Sequence, residues 1–313
     1  MRPCCRSIAW PTFSSGRRAI RGSAPQATKG HDRVKLALFQ HGGAEHVGIV
    51  KDGAILPVPG MADMTGVMAD FASHEAALRG LEASTTGWLP LAAVKLCAPV
   101  KRPGKILAIG LNYADHIAES GRETPQQQMW FIKASSSTAG PYDPIQIPKA
   151  SPDSVDYEVE LVAVIGKGGR HIAREDAPHA VFGYCVGNDV SVREWQGHSP
   201  QWSIAKSFDT HSPIGPWITL ADEMPDPHGH AIRCSVNGDL RQNSNTANLV
   251  FDVWAQIAYL SQAMTLEPGD LIFTGTPGGI GWARQPRLLL QPGDTCRCEI
   301  DGIGHIEAVC VAE

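Results

Sequence analysis

Several features that would assign this 313-residue sequence to a class of protein are missing from it. No run of 18 or more apolar residues occurs, so we expect no helix that spans a membrane. Residues 1–33 hold no long apolar segment of the kind that secretory signals carry. The eight cysteines are scattered and form no C-x-x-C pair, which favours reduced, buried thiols over disulfides or a zinc site.

The usual nucleotide-binding motifs are missing as well. A glycine-rich stretch at 274–281 follows a strand-like run at 271–273, but it lacks the Gly-Lys-Ser/Thr ending of a P-loop and does not fit G-x-G-x-x-G. Such a loop favours close backbone approach to a small acid, with the hydroxyl and amide of Thr276 as donors. A plain tight turn is the alternative.

Charge is divided unevenly along the chain. Residues 1–33 carry six Arg and one Lys against one Asp, whereas residues 34–313 carry 20 basic and 31 acidic side chains. We expect an acidic body of this kind to bind neither nucleic acid nor an anionic membrane surface. The basic arm is typical of a transit peptide, a disordered tail or an upstream translated artefact. The expected location is cytoplasmic, or the mitochondrial matrix if the arm is a transit peptide.

The sequence predicts two folded parts after the arm at 1–33. Residues 34–98 are expected to form a small β-rich domain, with turns at the Gly pair 42–43 and at 52–53. One short helix is predicted over 74–79, with Ser73 as its cap and Gly80 at its end. A linker with two prolines at 98–104 marks the boundary, so residues 99–313 form the larger domain.

The larger part alternates short apolar runs with turns. One long helix is predicted over 249–264, and Asn237-Gly238 is a strong hairpin signal. The pattern predicts a β-rich α/β fold and not a doubly wound parallel sheet. The predicted strands are 105–109, 158–165, 181–187, 231–236, 271–274, 295–300 and 305–312.

Two carboxylates stand two residues apart in the apolar segment 156–161. Side chains at i and i+2 of a strand share one face, so Glu158 and Glu160 should project together, with Asp189 arriving later in the chain. Like charges this close need a counter-ion, and oxygen ligands suit Mg²⁺ or Mn²⁺. The alternative is an acidic strand edge that faces water.

A histidine and a glutamate follow the strand at 105–109. If the chain is helical from residue 113, His116 and Glu119 are i and i+3 neighbours on one face. A carboxylate beside an imidazole orients the ring and stabilises its protonated form, as a general base requires. An ordinary exposed pair on a surface helix is the alternative.

Three further polar side chains fit a small anionic ligand. Arg193 supplies a planar fork for a carboxylate, and Gln196 supplies a neutral donor and acceptor. Lys206 could meet a developing oxyanion with a point charge. Alternatively, Arg193 simply bridges one of the glutamates, and Lys206 is solvated.

Eight ordered motifs together resemble the fumarylacetoacetate hydrolase family over about residues 105–310. Their order makes the resemblance more specific than any one motif. The motifs are 112–116 (NYADH), 156–161 (DYEVEL), 188–191 (NDVS), 206–209 (KSFD), 215–217 (GPW), 236–238 (VNG), 268–270 (PGD) and 274–277 (TGTP).

The resemblance implies a β-roll catalytic domain that forms a homodimer and binds Mg²⁺ or Mn²⁺. The positions that match the family's metal ligands are Glu158, Glu160 and Asp189. The metal of such enzymes chelates the carboxylate and 2-oxo oxygen of a small acid. His116 and Glu119 match a catalytic pair on a mobile lid.

Residues that contact substrate in the family match Lys206, Arg193, Gln196 and Thr276. For a 2,4-dioxo acid of the acylpyruvate or fumarylpyruvate type, the resemblance favours carbon–carbon hydrolysis to pyruvate and a carboxylic acid. His116, oriented by Glu119, would deprotonate the attacking water, and Lys206 would stabilise the oxyanion.

Other reactions of the family remain open. One alternative is an oxaloacetate tautomerase or decarboxylase. Another is a hydroxydienedioate isomerase or decarboxylase of aromatic catabolism. A non-catalytic binder of oxo acids is a third, because a fold alone does not establish chemistry.

Overall fold

The computed structural model describes residues 34–313, so the predicted arm at 1–33 lies outside the described residues. Strands dominate this part of the chain. In chain order they are β1 (Lys35–His41), β2 (Ala44–Lys51), β3 (Ala54–Pro57), β4 (Leu89–Pro90), β5 (Lys95–Cys97), β6 (Ile106–Gly110), β7 (Met129–Lys133), β8 (Thr138–Ala139), β9 (Ile145–Ile147), β10 (Val155–Asp156), β11 (Val159–Ile165), β12 (Val181–Asn188), β13 (Ser191–Val192), β14 (Ser212–Leu220), β15 (Ala231–Val236), β16 (Asp239–Asn245), β17 (Leu271–Phe273), β18 (Thr295–Ile300) and β19 (Gly304–Ala312).

The α-helices of the described residues are few and short. The longest has 12 residues, which is below the roughly 20 that a membrane-spanning helix needs. The helices are α1 (Met64–Ala69), α2 (Phe71–Glu82), α3 (Ala114–Ser120), α4 (Arg193–Gln196) and α5 (Val253–Ala263).

One large sheet of 12 strands runs through the molecule. Its order is β4-β3-β2-β1-β14-β12-β11-β17-β6-β7, with β5 beside β1 and β8 beside β14. Neighbouring strands are antiparallel except for the pairs β17/β6 and β14/β8. The fold is therefore strand-rich α/β and not doubly wound, as the sequence predicts.

A second sheet of five strands, in the order β16-β15-β18-β19-β9, lies against β11 and β12. Every residue of β11 and β12 is buried. Leu161 and Ala163 of β11 belong to the core shared with the second sheet, whereas Val162 and Val164 belong to the core on the other face. Apart from Glu160 and Asn188, at the ends that meet at the site, these strands carry apolar or small side chains and Tyr184, because both faces are covered.

Residues 34–98 supply β1 to β5 and helices α1 and α2. Strand β1 pairs with β14, with Lys35 opposite Thr219 and Leu36 opposite Ile218. The large sheet thus includes strands from both sides of the expected linker. The division into two domains near residue 98 stays a prediction.

The short helix of this segment is longer than predicted. Helix α2 begins at Phe71 after Asp70, so the prediction that Ser73 caps it is wrong, and Gly80 lies inside the helix instead of ending it. A side-chain cap is found on the preceding helix, α1. There the Asp63 carboxylate accepts hydrogen bonds from the backbone amides of Thr65 and Gly66. Both predicted glycine turns occur, with positive φ at Gly42, Gly43 and Gly53.

The long helix is shorter than predicted at its start. Asp252 caps α5 by accepting from the backbone amide of Ala255 at 2.8 Å, so the apolar Leu249 lies before the helix. The strand predictions agree with β6, β11, β12, β15, β17, β18 and β19 to within a residue or two. Strand β14 was missed because Pro213, Gly215 and Pro216 read as breakers, although it forms the pairs with β1 and β12.

A buried histidine should make the fold sensitive to acid. His211 is fully buried, and its Nε2 lies 2.8 Å from the Gln146 carbonyl oxygen, while its Nδ1 has no partner. Burial lowers the pKa of His211 from 6.5 to about 4. The unfolded chain therefore takes up a proton between these pH values and the native chain does not. The free energy of unfolding should fall by about 3 kcal/mol as the pH drops from 6.5 to 4.

Chemical denaturation across this pH range tests the prediction. In His211→Gln the amide can still donate to the Gln146 carbonyl, but nothing titrates at this position. The variant should lose less stability than the wild type over the same interval. Parallel curves for the two proteins would contradict the assignment.

Candidate functional site

Three acidic side chains meet where β11 and β12 lie side by side. Glu158 directly precedes β11, Glu160 is its second residue, and Asp189 directly follows β12. The antiparallel register places Val159 opposite Asn188, and the Asp189 amide donates to the Glu158 carbonyl at 2.9 Å. One carboxylate oxygen from each acid lies within 4.8 Å of the others, and all three side chains are buried. The predicted grouping is therefore present in the fold, although the strand begins at residue 159 and not at 158.

Buried cations neutralise two of these three carboxylates. Lys206 donates from Nζ to Glu158 at 2.7 Å and to Asp189 at 2.6 Å. Lys133 donates to the other oxygen of Asp189 and, at 2.8 Å, to the His211 carbonyl. Lys206 thus contacts the acids and also lines the cavity beside them, and its predicted contact with substrate stays a prediction.

Arg193 also pairs with acids, as the structural alternative in the sequence analysis allowed. Its Nε donates to Asp156 at 2.9 Å, and its Nη2 lies 2.6 Å from Glu158. Burial on its own would raise the pKa of Glu158, but the charges of Lys206 and Arg193 outweigh burial and hold it far below its usual range. Glu158 is thus ionised in the folded chain.

Glu160 differs from its two neighbours. Among residues 34–313 no cationic side chain contacts it, and its partner is the Gly275 backbone amide, 2.7 Å from Oε2. Burial, followed by repulsion from Asp189 and Glu158, raises the pKa of Glu160 well above its ordinary value. A positive charge placed between the three carboxylates would remove this penalty.

The donor set fits a hard divalent cation. All three acids offer oxygen atoms, which suit Mg²⁺ and Mn²⁺ better than softer metals. Within residues 34–313, four buried carboxylates of this site, with Asp156 included, lie near three buried cations, Lys133, Arg193 and Lys206. When all four acids are ionised the site is short of positive charge, and a dication would supply it.

The predicted histidine–glutamate pair is present on α3. His116 Nδ1 lies 2.8 Å from Glu119 Oε1, and Glu119 Oε2 accepts from the Gly279 amide at 2.8 Å. Glu119 is thus fixed from two sides. A carboxylate accepts hydrogen bonds, so the Nδ1 atom of His116 carries the proton in this contact. The free lone pair of the neutral ring is then on Nε2, which can act as a base.

The glycine-rich loop holds acids of the protein itself. The amides of Gly275, Gly278 and Gly279 donate to Glu160, Asp115 and Glu119 respectively. At Gly279 φ is +101°, and a Cβ atom would lie 2.2 Å from the Arg241 carbonyl oxygen. Only glycine fits there, so the loop can approach Glu119 closely.

Thr276 uses its hydroxyl within the fold. Its Oγ1 donates to the Val159 carbonyl at 3.0 Å and accepts from Gln242 Nε2 at 2.8 Å. Sequence reasoning missed Gln242, because a glutamine in a hairpin strand carries no motif. A contact between Thr276 and substrate stays a prediction.

A cavity of about 50 Å³ lies beside His116 and Glu158. Its lining is partly polar and partly apolar. Six of the predicted site residues line it, and Glu119, Glu160 and Asp189 contact residues of the lining or of the loop beside it. The lining residues are Ile109, Gly110, Leu111, His116, Phe131, Glu158, Arg193, Gln196, Trp202, Lys206 and Thr276.

Two structural anchors of the site escaped the sequence analysis. Lys133 occupies an inward position of β7 next to the buried Phe131. The Phe-x-Lys pattern at 131–133 was its signal in the sequence, but it had no assigned role. Asp156 belongs to a quoted motif but had no role. It accepts from the Gly281 and Trp282 amides at 2.8 and 2.9 Å as well as from Arg193.

Two isosteric substitutions should separate metal binding from folding. Both Glu158→Gln and Glu160→Gln should weaken Mn²⁺ binding, because each removes a charged ligand. In the metal-free protein Glu158→Gln deprives Lys206 and Arg193 of a partner and should cost about 3 kcal/mol. Glu160→Gln replaces a carboxyl group without a cation and should change stability by less than about 1 kcal/mol.

Calorimetric Mn²⁺ titration and urea unfolding with a chelator measure the two effects. Equal destabilisation by the two substitutions would contradict the charge pairing described here. Unchanged Mn²⁺ affinity in both variants would exclude the three acids as the metal site.

Comparison with known proteins gives the site its context. The family model described as "Fumarylacetoacetate (FAA) hydrolase C-terminal" matches residues 105–311. The chain is 49% identical over 215 residues to a mitochondrial oxaloacetate tautomerase of Xenopus laevis. The aligned region covers 68% of this chain and 67% of that protein.

Two solved structures are similar over almost their whole length. One is a maleylpyruvate hydrolase from a Sphingobium species in complex with manganese(II) and pyruvate, with 35% identity, a TM-score of 0.75 and coverage of 89% and 99% of the two chains. The other is a 5-carboxymethyl-2-hydroxymuconate delta-isomerase from Mycobacterium smegmatis, with 32% identity, a TM-score of 0.73 and the same coverage. With a family match over more than half of its residues and relatives of this identity, the chain is an enzyme of the fumarylacetoacetate hydrolase family.

Proposed function

We propose that the enzyme interconverts the keto and enol forms of oxaloacetate, with Mg²⁺ or Mn²⁺ as its cofactor. The observation that carries the proposal is one imidazole, oriented by Glu119, that lines the same cavity as Glu158, Arg193 and Lys206. Tautomerisation moves one proton within one small molecule, and a single oriented base is sufficient for it. The 49% identity to an oxaloacetate tautomerase supports the same choice.

The chain's own residues account for the proton transfer. His116 Nε2 takes a proton from C3 of the keto form and returns it to the C2 oxygen, so no atom is gained or lost. Glu119 accepts a hydrogen bond from Nδ1–H of His116. Its negative charge stabilises the imidazolium that exists between these two steps. In the reverse direction the same two groups convert the enol to the ketone.

Polar side chains of the cavity wall orient the acid. Gln196 Oε1 accepts from Arg193 Nη1 at 3.0 Å, which leaves the Gln196 amino group as a donor for a substrate carboxylate. Lys206 carries the nearest charge for an oxygen that becomes negative. Glu158, Glu160 and Asp189 would hold the dication, which supplies Lewis acidity at the 2-oxo group when bound.

Hydrolysis of a 2,4-dioxo acid is the second candidate. Ile109, Leu111, Phe131 and Trp202 give the cavity an apolar part of its lining, which suits a short acyl group. The 35% identity to a maleylpyruvate hydrolase also favours this reaction. His116 would then deprotonate water, and the products would be pyruvate and a carboxylic acid.

Partners and location are proposed from the sequence. The homodimer and the lack of nucleic-acid and membrane partners stay predictions. Relatives that are mitochondrial by name, together with the arginine-rich residues 1–33, support the mitochondrial matrix over the cytoplasm.

The reaction is tested by product analysis with His116→Asn. Wild-type enzyme with Mn²⁺ should accelerate the loss of enol-oxaloacetate absorbance without releasing carbon dioxide. The variant should lose about 10²- to 10⁴-fold in rate, because it removes the general base. Its affinities for Mn²⁺ and oxalate, measured by calorimetry, should stay close to the wild-type values.

A matched control is His228→Asn, which alters another histidine that contacts a carboxylate, with its Nδ1 2.8 Å from Asp226. This side chain lies outside the cavity, and the variant should turn over normally. If the wild-type enzyme forms pyruvate from an acylpyruvate and does not affect enol-oxaloacetate, the function is hydrolysis and not tautomerisation. Undiminished turnover in His116→Asn would contradict the assignment of His116 as the base in both mechanisms.

A further inference from the structure

Three cysteines form a cluster in the core shared by the two sheets. Cys234 lies on β15 and Cys296 and Cys298 lie on β18. Cys234 is directly opposite Cys298 in the antiparallel register, and Cys296 shares the inward face of β18 with Cys298 because the two are i and i+2. All three thiols are unbonded and buried.

The sulfur atoms have the spacing of a metal site. All three lie within 4.8 Å of one another, and the Sγ atoms of Cys234 and Cys296 are 3.8 Å apart. Three sulfurs about 2.3 Å from a shared ion are mutually separated by about 3.8 to 4.0 Å, depending on whether the ion lies in their plane. The cluster therefore needs only small side-chain shifts to close around one ion.

The ligand set selects a soft ion of low charge. Three sulfurs without nitrogen or oxygen ligands suit soft metals and not Mg²⁺ or Mn²⁺. No fourth His, Cys, Asp or Glu ligand joins the group within residues 34–313, whereas structural zinc sites use four. Ile232, Val236 and Ile300 lie on the same buried faces, so a site with net charge would be costly.

We propose that Cys234, Cys296 and Cys298 bind one Cu(I) ion. One thiol releases its proton to solvent, so the ion and one thiolate together are neutral, and the other two sulfurs bind as thiols. No oxidation or reduction takes place. Cys296 supplies the thiolate, because Asn188 Nδ2 donates to its Sγ at 3.5 Å and stabilises the negative charge.

Without an ion the thiols stay protonated. Burial raises the pKa of Cys234 and Cys298 well above the usual thiol value, and the contact with Cys234 does the same for Cys296. Binding therefore replaces a proton with the ion. Because the cluster is buried, the ion enters only when the sheets open locally, and we expect slow uptake.

The test uses the full chain with Cys4 and Cys5 changed to Ser, because these neighbouring thiols could bind Cu(I) themselves. Mn²⁺ is kept at saturation to occupy the carboxylate site. Cu(I) is supplied without oxygen from a bathocuproine buffer. Native mass spectrometry should find one copper per chain, and the absorbance of the buffer complex gives the affinity.

Cys296→Ser in this background should weaken Cu(I) binding by at least about ten-fold. Cys185→Ser is the matched control, because Cys185 is equally buried on β12 but lies outside the cluster. Its affinity should equal that of the background protein. If Cys296→Ser does not fold, Cys298→Ser takes its place and should show the same loss.

Two results would overturn the proposal. One is a folded background protein that retains no copper after prolonged incubation. The other is copper binding of equal stoichiometry and affinity in the Cys296, Cys298 and Cys185 variants. Because the readout is copper and not turnover, either result leaves the proposed tautomerase activity untouched.

Discussion

Electrostatic repulsion between buried carboxylates is the constraint that shapes this site. Glu158, Glu160 and Asp189 lie together and are buried from bulk solvent, where like charges repel more strongly than at the surface. The fold reduces the repulsion with lysine and arginine on two acids, and it leaves the third acid with only a backbone amide. This asymmetry keeps the site deficient in positive charge, which is the property that a metal centre requires.

Backbone contacts position the site as well as charge. The register of β11 and β12 brings the three acids together, and amides of the glycine-rich loop fix Glu160 and Glu119. The same loop thereby connects the acids to His116 and Glu119 on α3. A group of side chains from five chain segments can be precise here because strands covered on both faces have little freedom to shift.

Much of the site could be predicted because its ligands lie in short motifs. Glu158 and Glu160 are two apart, His116 and Glu119 are three apart, and such spacings survive in the fold because they are local. The partners of these residues were harder to predict. Lys133 and Asp156 meet Asp189 and Arg193 only through long-range strand pairing, and Lys206 contacts the acids because the chain returns after a turn.

The fold was predictable where hydrophobic patterns are strong and failed where breakers dominate. Strands β11, β12, β15 and β18 follow from their apolar runs. Strand β14 contains two prolines and a glycine and was not recognised, since only tertiary pairing reveals that it is a strand. The start of α5 lies after the predicted one because Asp252, and not the apolar periodicity that includes Leu249, sets where the helix begins. Helix α2 begins before the predicted cap Ser73 and continues past Gly80.

The pairing of β1 with β14 has a consequence for how this enzyme can be divided. Strand β14 is also bonded to β12, the strand that leads into Asp189. A fragment that began after residue 98 would lose this pairing and leave the backbone groups of β14 around Ile218 and Thr219 open to solvent. Open strand edges recruit other chains, so such a fragment should tend to self-associate at this edge.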